Sequence, residues 1–523
     1  MSHTDAHPGE IEQMTHRQIL EALSGLLLAL FVAMLSSTIV SNALPTIIAD
    51  LGGSQTGYTW VVVSTLLAMT ATTPIWGKLS DLVSKKLLVQ VALVIFVIGS
   101  VLASIAPSME TLIGARVIQG LGVGGLTALV QVVIATIVSP RERGRYSGYV
   151  GAVFATATVA GPLVGGLLVD TVGWRWCFFV GVPIAVIAFV LLQKTLHLPV
   201  VRRKVSIDWF GATLIMGGVS VLLVWVSLGG NNFDWMSTTS ASLVVGGIAL
   251  ILAAVFVEAK VAKDPIIPLR MFRDRTTALA TTASTFIGVA MFGSTVYLSQ
   301  YFQLARAMSP TEAGLMSIFM VGGLMVTSIV TGRLITRTGA WKRYLVGGMG
   351  TVVVGLALLS TIDATTNLWL VGVFMVLLGM GLGATMQNLI LAVQNNTAQS
   401  DMGAASSVVA FFRSVGGSAG VSALGALLSH QVFTKTVDGF KAAGIETTSQ
   451  QSHSVPDLST LPAPVRSIIE GAYGDATANL FLVAVPFAVA ALVCVAFIRE
   501  VRLRDTIQRE DEITGHAGEA AIA

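Results

Sequence analysis

Two arginines stand where a cation is costly. Arg116 and Arg413 fall inside long apolar runs, near 109–137 and 403–429. Insertion scales put an arginine at a bilayer centre at roughly 2.5–3.5 kcal/mol, so each is a functional candidate that needs a partner. Snorkelling to the nearer interface is the alternative reading for Arg116. Arg413 begins about ten residues into its run, some ~15 Å deep at 1.5 Å per residue. An anionic group on a substrate or lipid could meet it, as could helix carbonyls and amides such as Gln387. The opposite charge is missing: none of the 28 Asp and Glu residues falls in the middle of an apolar run. Polar and aromatic side chains that do fall there are Ser36, Asn42, Gln119, Gln300, Tyr301, Gln387, Asn388 and Phe412. With Arg413 they are the candidate lining of a binding pocket, against the plainer reading that isolated polar residues hold helices together.

The chain offers no comparable set for bond-making chemistry. Gly120-x-Gly122-x-Gly124 lies within an apolar run, so it reads as helix packing and not as a phosphate loop. The seven His are scattered without metal-ligand spacing. Cys177 and Cys494 are too few for a disulfide framework and read as free thiols. Recognition and passage, without enzyme catalysis, metal, cofactor or nucleic acid, is the expected chemistry.

The elements that must position these residues are membrane helices. The 523 residues are 54% hydrophobic and only 11% charged, against about 25% charged in soluble domains. A span needs roughly 20 apolar residues. Fourteen runs qualify, near 19–44, 57–76, 88–106, 109–137, 148–169, 177–196, 208–228, 239–258, 277–303, 312–331, 344–361, 367–392, 403–429 and 478–498. The first is too long for a signal peptide's apolar core and lacks a small-residue cleavage site, so it reads as a permanent span. With the N-terminus in the cytoplasm and alternating spans, 24 of the 31 Lys and Arg fall on cytoplasmic segments, five outside and two within spans. That bias follows the positive-inside rule and predicts both termini in the cytoplasm.

An internal repeat organises the runs. Shifting Gly120, Gly122, Gly124, Gly144, Gly161 and Gly166 by 259 positions lands on Gly379, Gly381, Gly383, Gly403, Gly420 and Gly425. Gly77-x-Leu79 before Lys85-Lys86 is echoed by Gly332-x-Leu334 before Lys342-Arg343. Spans 1–6 and 9–14 therefore read as two parallel six-helix halves with a site between them near the midplane, and spans 7 and 8 as an inserted pair. The expected division is a cytoplasmic tail at 1–18, a first bundle at 19–196, a linker with the inserted helices at 197–276, a second bundle at 277–498 carrying an external, flexible or partly ordered loop at 430–477, and a cytoplasmic tail at 499–523.

Five segments carry a resemblance. The loop Gly77-Lys-Leu-Ser-Asp81-Leu-Val-Ser-Lys85-Lys86 resembles motif A of the major facilitator superfamily, with Leu82 where a basic residue is usual and Ser84 where Gly is usual. Arg116-Val-Ile-Gln119-Gly120 resembles motif B. Gly148, Ala157, Gly161-Pro162 and Gly165-Gly166 resemble motif C, the antiporter signature, with Ala157 where a Gly is usual. Gly173-Trp-Arg-Trp-Cys-Phe-Phe-Val-Gly-Val-Pro183 and Leu35-Ser-Ser-Thr-Ile-Val-Ser-Asn-Ala-Leu-Pro45 resemble segments of its fourteen-helix drug/proton antiporters, with Ser36 in place of an Asp. The resemblance implies an all-α membrane protein of fourteen helices with the major facilitator fold, in the inner or plasma membrane. It implies proton-coupled efflux of small lipophilic compounds by alternating access, with gating and coupling through Gly77, Asp81, Lys85, Lys86, Arg116, Gln119 and Gly120. Asp81 is expected to bias the two states through cations near spans 2 and 11 or the end of span 5. The partners would be substrate and bilayer, and the chain a monomer. A lipid or metabolite transporter, or a proton symporter, on the same fold is the alternative.

Overall fold

The computed structural model describes residues 16–51, 55–196, 208–229, 233–262, 265, 267–398, 401–444, 462–501 and 503. The expected tails and the linker segment 197–207 lie almost wholly outside the described residues. The helices are α1 (His16–Leu51), α2 (Gln55–Leu82), α3 (Lys85–Ser104), α4 (Met109–Ile137), α5 (Pro140–Thr171), a five-residue α6 (Arg175–Phe179) leading into α7 (Gly181–Thr195), α8 (Trp209–Leu228) and α9 (Thr238–Lys260). After a 3₁₀ turn at Leu269–Arg273 come α10 (Arg275–Gln300), ending in a π-helical turn at Tyr301–Ala305, then α11 (Pro310–Thr338), α12 (Lys342–Leu359), α13 (Leu368–Asn395), α14 (Met402–Ala442) and α15 (Ala463–Ala496). Thirteen spans are long and apolar enough to cross a membrane, α6 and α7 counting as one; the apolar part of α8, Phe210–Val226, is a shorter fourteenth.

The helix ends follow local chemistry. Ser84, Ser108, Ser237 and Asp274 accept backbone N–H bonds at the starts of α3, α4, α9 and α10, satisfying donors that a helix leaves open at its N-terminus. Ser84 is one of the two residues that depart from motif A, and its side chain takes up this cap. Helix α11 opens with a Ser309–Glu312 capping box and stops at Gly339, whose φ of 68° suits a left-handed cap.

The two halves pair their helices alike. In the first, α1 packs on α5 and α7, and α4 on α2 and α3; in the second, α10 packs on α14 and α15, and α13 on α11 and α12. The glycine repeat explains why. A Cβ on Gly120 would press on the Thr65 carbonyl of α2 at 2.6 Å, and one on Gly379 would overlap the Met320 carbonyl of α11. Likewise Gly124 abuts Met69 O and Gly383 abuts Leu324 O. Residues 65 and 69 shifted by 255 are 320 and 324, the same shift that relates Gly77 to Gly332. The repeat seen as spacing is thus a repeated set of backbone contacts, where small residues let helices approach.

The inserted pair lies at a seam. Helix α8 packs on both α2 and α14, burying Ala212, Ile215, Val219 and Leu223 with Phe411. Helix α9 turns Val245, Leu252 and Phe256, each more than 60% exposed, away from the protein. The segment expected as a loop, 430–477, is helical at both ends, because α14 runs on to Ala442 and α15 starts at Ala463. Lys435 pairs with Asp475 at 2.9 Å between these extensions, and Phe440 and Ile469 are buried there beside Leu304. Polar composition did not reveal this helix pair because its apolar contacts are few.

Candidate functional site: the seam between the bundles

The bundles meet along α2–α14 and α5–α11, two pairs that the repeat interchanges. Every cross-bundle approach described next lies in the half nearer the ends rich in Lys and Arg, called here the basic end. At the α2–α14 seam, Gly77 and Gly403 come backbone to backbone. Asp81 Oδ1 accepts the Gly403 N–H at 2.9 Å and Oδ2 the Ala404 N–H at 3.2 Å. A carboxylate at a helix N-terminus meets both open donors and the positive end of the helix dipole. The direct partners of Asp81 are these amides of α14, and of the cations expected near it Lys78 and Lys85 are close enough to act on its charge. Beside this seam, Arg270 pairs with Asp401 at 2.7 Å. Lys86 Nζ donates to Gln193 O at 2.8 Å, within its own bundle.

At the α5–α11 seam, Gly148 faces Ile329 and Gly151 faces Ser328. Between α4 and α13, Gln131 Nε2 donates to Gln387 Oε1 at 3.0 Å. Gln387 is therefore engaged across the seam and does not satisfy Arg413. Above these contacts lies a cavity of about 60 Å³, lined by α5, α10, α11 and α13, including Phe154, Thr158, Met291, Thr295, Met386 and Gln387. Its wall combines thioether, aromatic and hydroxyl surface and holds no charged side chain.

Arg116 is 4% exposed and does not snorkel. Its Nη1 donates to Gln119 Oε1 at 2.5 Å and its Nε to Val61 O at 3.3 Å. Gln119 Nε2 donates to Ser36 Oγ at 2.9 Å and Ser100 Oγ at 2.8 Å. Ser36 thus belongs to a closed network joining α1, α3 and α4, one the spacing of the chain could not show. The motif C residues divide between two faces. Ala157 O accepts from Thr38 Oγ1 at 3.0 Å, and Gly161 and Gly165 abut Thr38 and Ile39 of α1, while Gly148 faces the other bundle. Gly166 is half-buried on the same helix. The side chains of Asn42 and Pro162 lie outside the described residues.

The remaining pocket candidates disperse. Phe412 packs edge-on to Phe272 and Phe411 against the inserted helix α8, away from the cavity lining. Tyr301 is fully buried in the π-helical turn and donates to Asp363 O at 2.7 Å, near the opposite end. Gln300 is half-buried beside it. Asn388 Nδ2 donates to Ala384 O of its own helix at 2.6 Å. Arg413 lies where α14 crosses α10, its carbonyl against Gly288, and its Nη1 is buried without a hydrogen-bond partner. At the end opposite the basic one, Asp50 accepts from Trp174 at 2.9 Å and Arg175 at 3.1 Å, and these donors hold its carboxyl below the usual value.

A polytopic helical protein with two repeated bundles, closed on each other at one end around an apolar cavity, is built as a transporter. The chain belongs to the Major Facilitator Superfamily, whose family model matches residues 26–421. It is similar to the efflux pump dotC of Dothistroma septosporum, 34% identical over 493 residues, covering 93% of this chain and 84% of that protein. It is also similar to the multidrug transporter protein MdtP of Bacillus subtilis, 33% identical over 408 residues, covering 78% of this chain and 75% of that protein. Its fold resembles that of the proton:xylose symporter XylE, with a TM-score of 0.60 at 12% identity over 93% of this chain and 97% of that one.

Proposed function

We propose that this transporter exports small lipophilic organic compounds in exchange for protons, by alternating access, with its basic end in the cytoplasm. The observation that carries the reading is the Asp81 clasp on the α14 amides beside the Gly77–Gly403 approach. It is a contact between rigid bundles that can be made in one state and released in the other. Read with the basic end inside, the chain is closed to the cytoplasm and faces outward, the state in which a cargo would leave. The Met- and Phe-lined cavity suits lipophilic cargo, since thioethers adapt to varied shapes. Two further supports are the names of full-length relatives, an efflux pump and a multidrug transporter, and the small-residue face of α5 against α1, which resembles the antiporter signature.

Everted membrane vesicles test it. A lipophilic fluorescent dye should accumulate inside them when a proton gradient, acid inside, is imposed. A protonophore should abolish the accumulation. Uptake that is indifferent to the gradient would remove proton coupling; uptake only in right-side-out vesicles would reverse the direction.

A further inference from the structure

The interior of the second bundle has donors to spare and no acid to meet them. Arg413 Nη1 is buried and unpartnered. On the same helix Ser418 Oγ, and on the adjoining α10 Thr281 Oγ1 and Ser294 Oγ, are also buried without a partner. All three hydroxyl residues are at most 6% exposed. Gly288, which faces the Arg413 carbonyl, is one turn from Met291 of the cavity wall, so the Arg413 backbone lies level with the cavity although its side chain is not part of the lining.

No described carboxylate forms an ion pair with it, Asp208 at the start of α8 included. Asp401, twelve residues back along α14, is ~18 Å away at 1.5 Å per residue and is taken by Arg270 at 2.7 Å. Farther along, Glu470 and Asp475 pair with Arg466 and Lys435. Arg413 as a residue is half-buried; Arg116, fully buried in the first bundle, is met by a carbonyl and an amide and by no carboxylate. Two interior arginines without a counter-ion make the interior electropositive, which attracts anions and repels dications. An unpaired charge in the membrane interior is the costly case, and a bound anion relieves it.

We infer that Arg413 is a binding residue for an anionic group, and that the transporter therefore selects anionic or neutral aromatic compounds over dications. The anion is either that of a transported organic acid or that of a lipid headgroup; the recognising chemistry is the same. This inference rests on the transport reading for its meaning, but its test needs neither a gradient nor a direction.

The full chain in phosphatidylcholine nanodiscs is titrated with a xanthene dye as its carboxylate, the same dye as its neutral ester, and a dicationic phenanthridinium dye. The wild type should bind the carboxylate at least about tenfold more tightly than the dication. Arg413→Gln should lose about tenfold or more for the carboxylate while its affinity for the ester, which reports a folded pocket, stays the same; Arg413→Lys should retain most of the preference. If phosphatidylglycerol in the disc weakens carboxylate binding, the site is shared with lipid; if it has no effect, the site serves the free solute. Tighter binding of the dication by the wild type overturns the inference, as does undiminished carboxylate binding by Arg413→Gln. Should Arg413→Gln fail to bind the ester, the wild-type dye order and Arg413→Lys decide.

Discussion

Gly77 of α2 and Gly403 of α14 meet across the two bundles so closely that a Cβ on Gly77 would lie 2.7 Å from the Gly403 carbonyl, and one on Gly403 would overlap the Gly77 carbonyl. Neither backbone can yield without moving its helix. Gly403→Ala should therefore force the basic end apart. Overpacking of a tight site typically costs about 1–3 kcal/mol, enough to shift a two-state balance roughly 5- to 150-fold. Spin labels on Leu87→Cys of the first bundle and Arg337→Cys of the second, both exposed, report the change. The variant should show a longer inter-label distance than the parent. An unchanged distance distribution would mean that this approach does not control closure.

Asp81 adds the electrostatic half of the same closure. Asp81→Ala removes both bonds to the α14 amides, whereas Asp81→Asn keeps one acceptor oxygen and loses the charge. Hydrogen bonds to a charged group contribute about 1.5–3 kcal/mol. Transport per folded molecule should fall about tenfold or more in Asp81→Asn and further in Asp81→Ala, with near-normal amounts of protein in the membrane. Wild-type transport by a well-expressed Asp81→Asn protein would remove Asp81 from the gating scheme.

The sequence was most legible where physics is periodic. Apolar runs, basic loops and the glycine shift of 259 led to fourteen helices in two like-paired bundles, because lipid forces helices and glycine spacing forces contacts. It was least legible where partners come from distant segments. Nothing near Asp81 in the chain points to Gly403, and nothing near Gln387 points to Gln131. Ser36 was legible as a polar residue in a span but not as the acceptor that completes the Arg116–Gln119 network. Phe412 and Tyr301 show the limit of reading depth alone: a mid-run aromatic and a run-end tyrosine both looked like pocket lining, and α8 packing and a π-helical turn claimed them.

The α1–α5 contact predicts a compensating pair. A Cβ on Gly161 would overlap Thr38 Oγ1, and Thr38 in turn donates to Ala157 O. Gly161→Ala should lower thermal stability in detergent, by about 1–3 kcal/mol. Thr38→Ala should cost less, about 1 kcal/mol for the lost hydrogen bond. Combined, the two should be more stable than the sum of their separate losses, since the second makes room for the first. Additive losses would show that the helices do not approach here as described.

Orientation can be read chemically. Met236, in the turn between α8 and α9, is 99% exposed at the end opposite the basic one, and Thr338 is exposed at the basic end of α11. Buried Cys177 and half-buried Cys494 are first replaced by Ala. In intact cells an impermeant maleimide should then label Met236→Cys and spare Thr338→Cys, which should label only in everted vesicles. The reverse pattern would place the basic end outside and contradict the charge bias from which the cytoplasmic assignment starts.

Gln131 and Gln387 form a bond that exists only while α4 and α13 are together. They are 7% and 5% exposed, so each amide left behind by a single substitution is buried and unsatisfied, which costs about 1–3 kcal/mol. Removing both leaves no orphan and costs less than the two single losses together. Gln131→Leu and Gln387→Leu should therefore each favour the conformation open at the basic end, and the double variant should fall short of additivity by about 0.5–1.5 kcal/mol. The Leu87–Arg337 label pair measures this directly as the ratio of short to long distances. Because Gln387 also lines the cavity, its substitution should alter dye affinity as well, whereas Gln131→Leu should change only the balance of states. Equal effects of the two on affinity at a fixed conformational balance would show that the bond is part of the pocket and not of the closure.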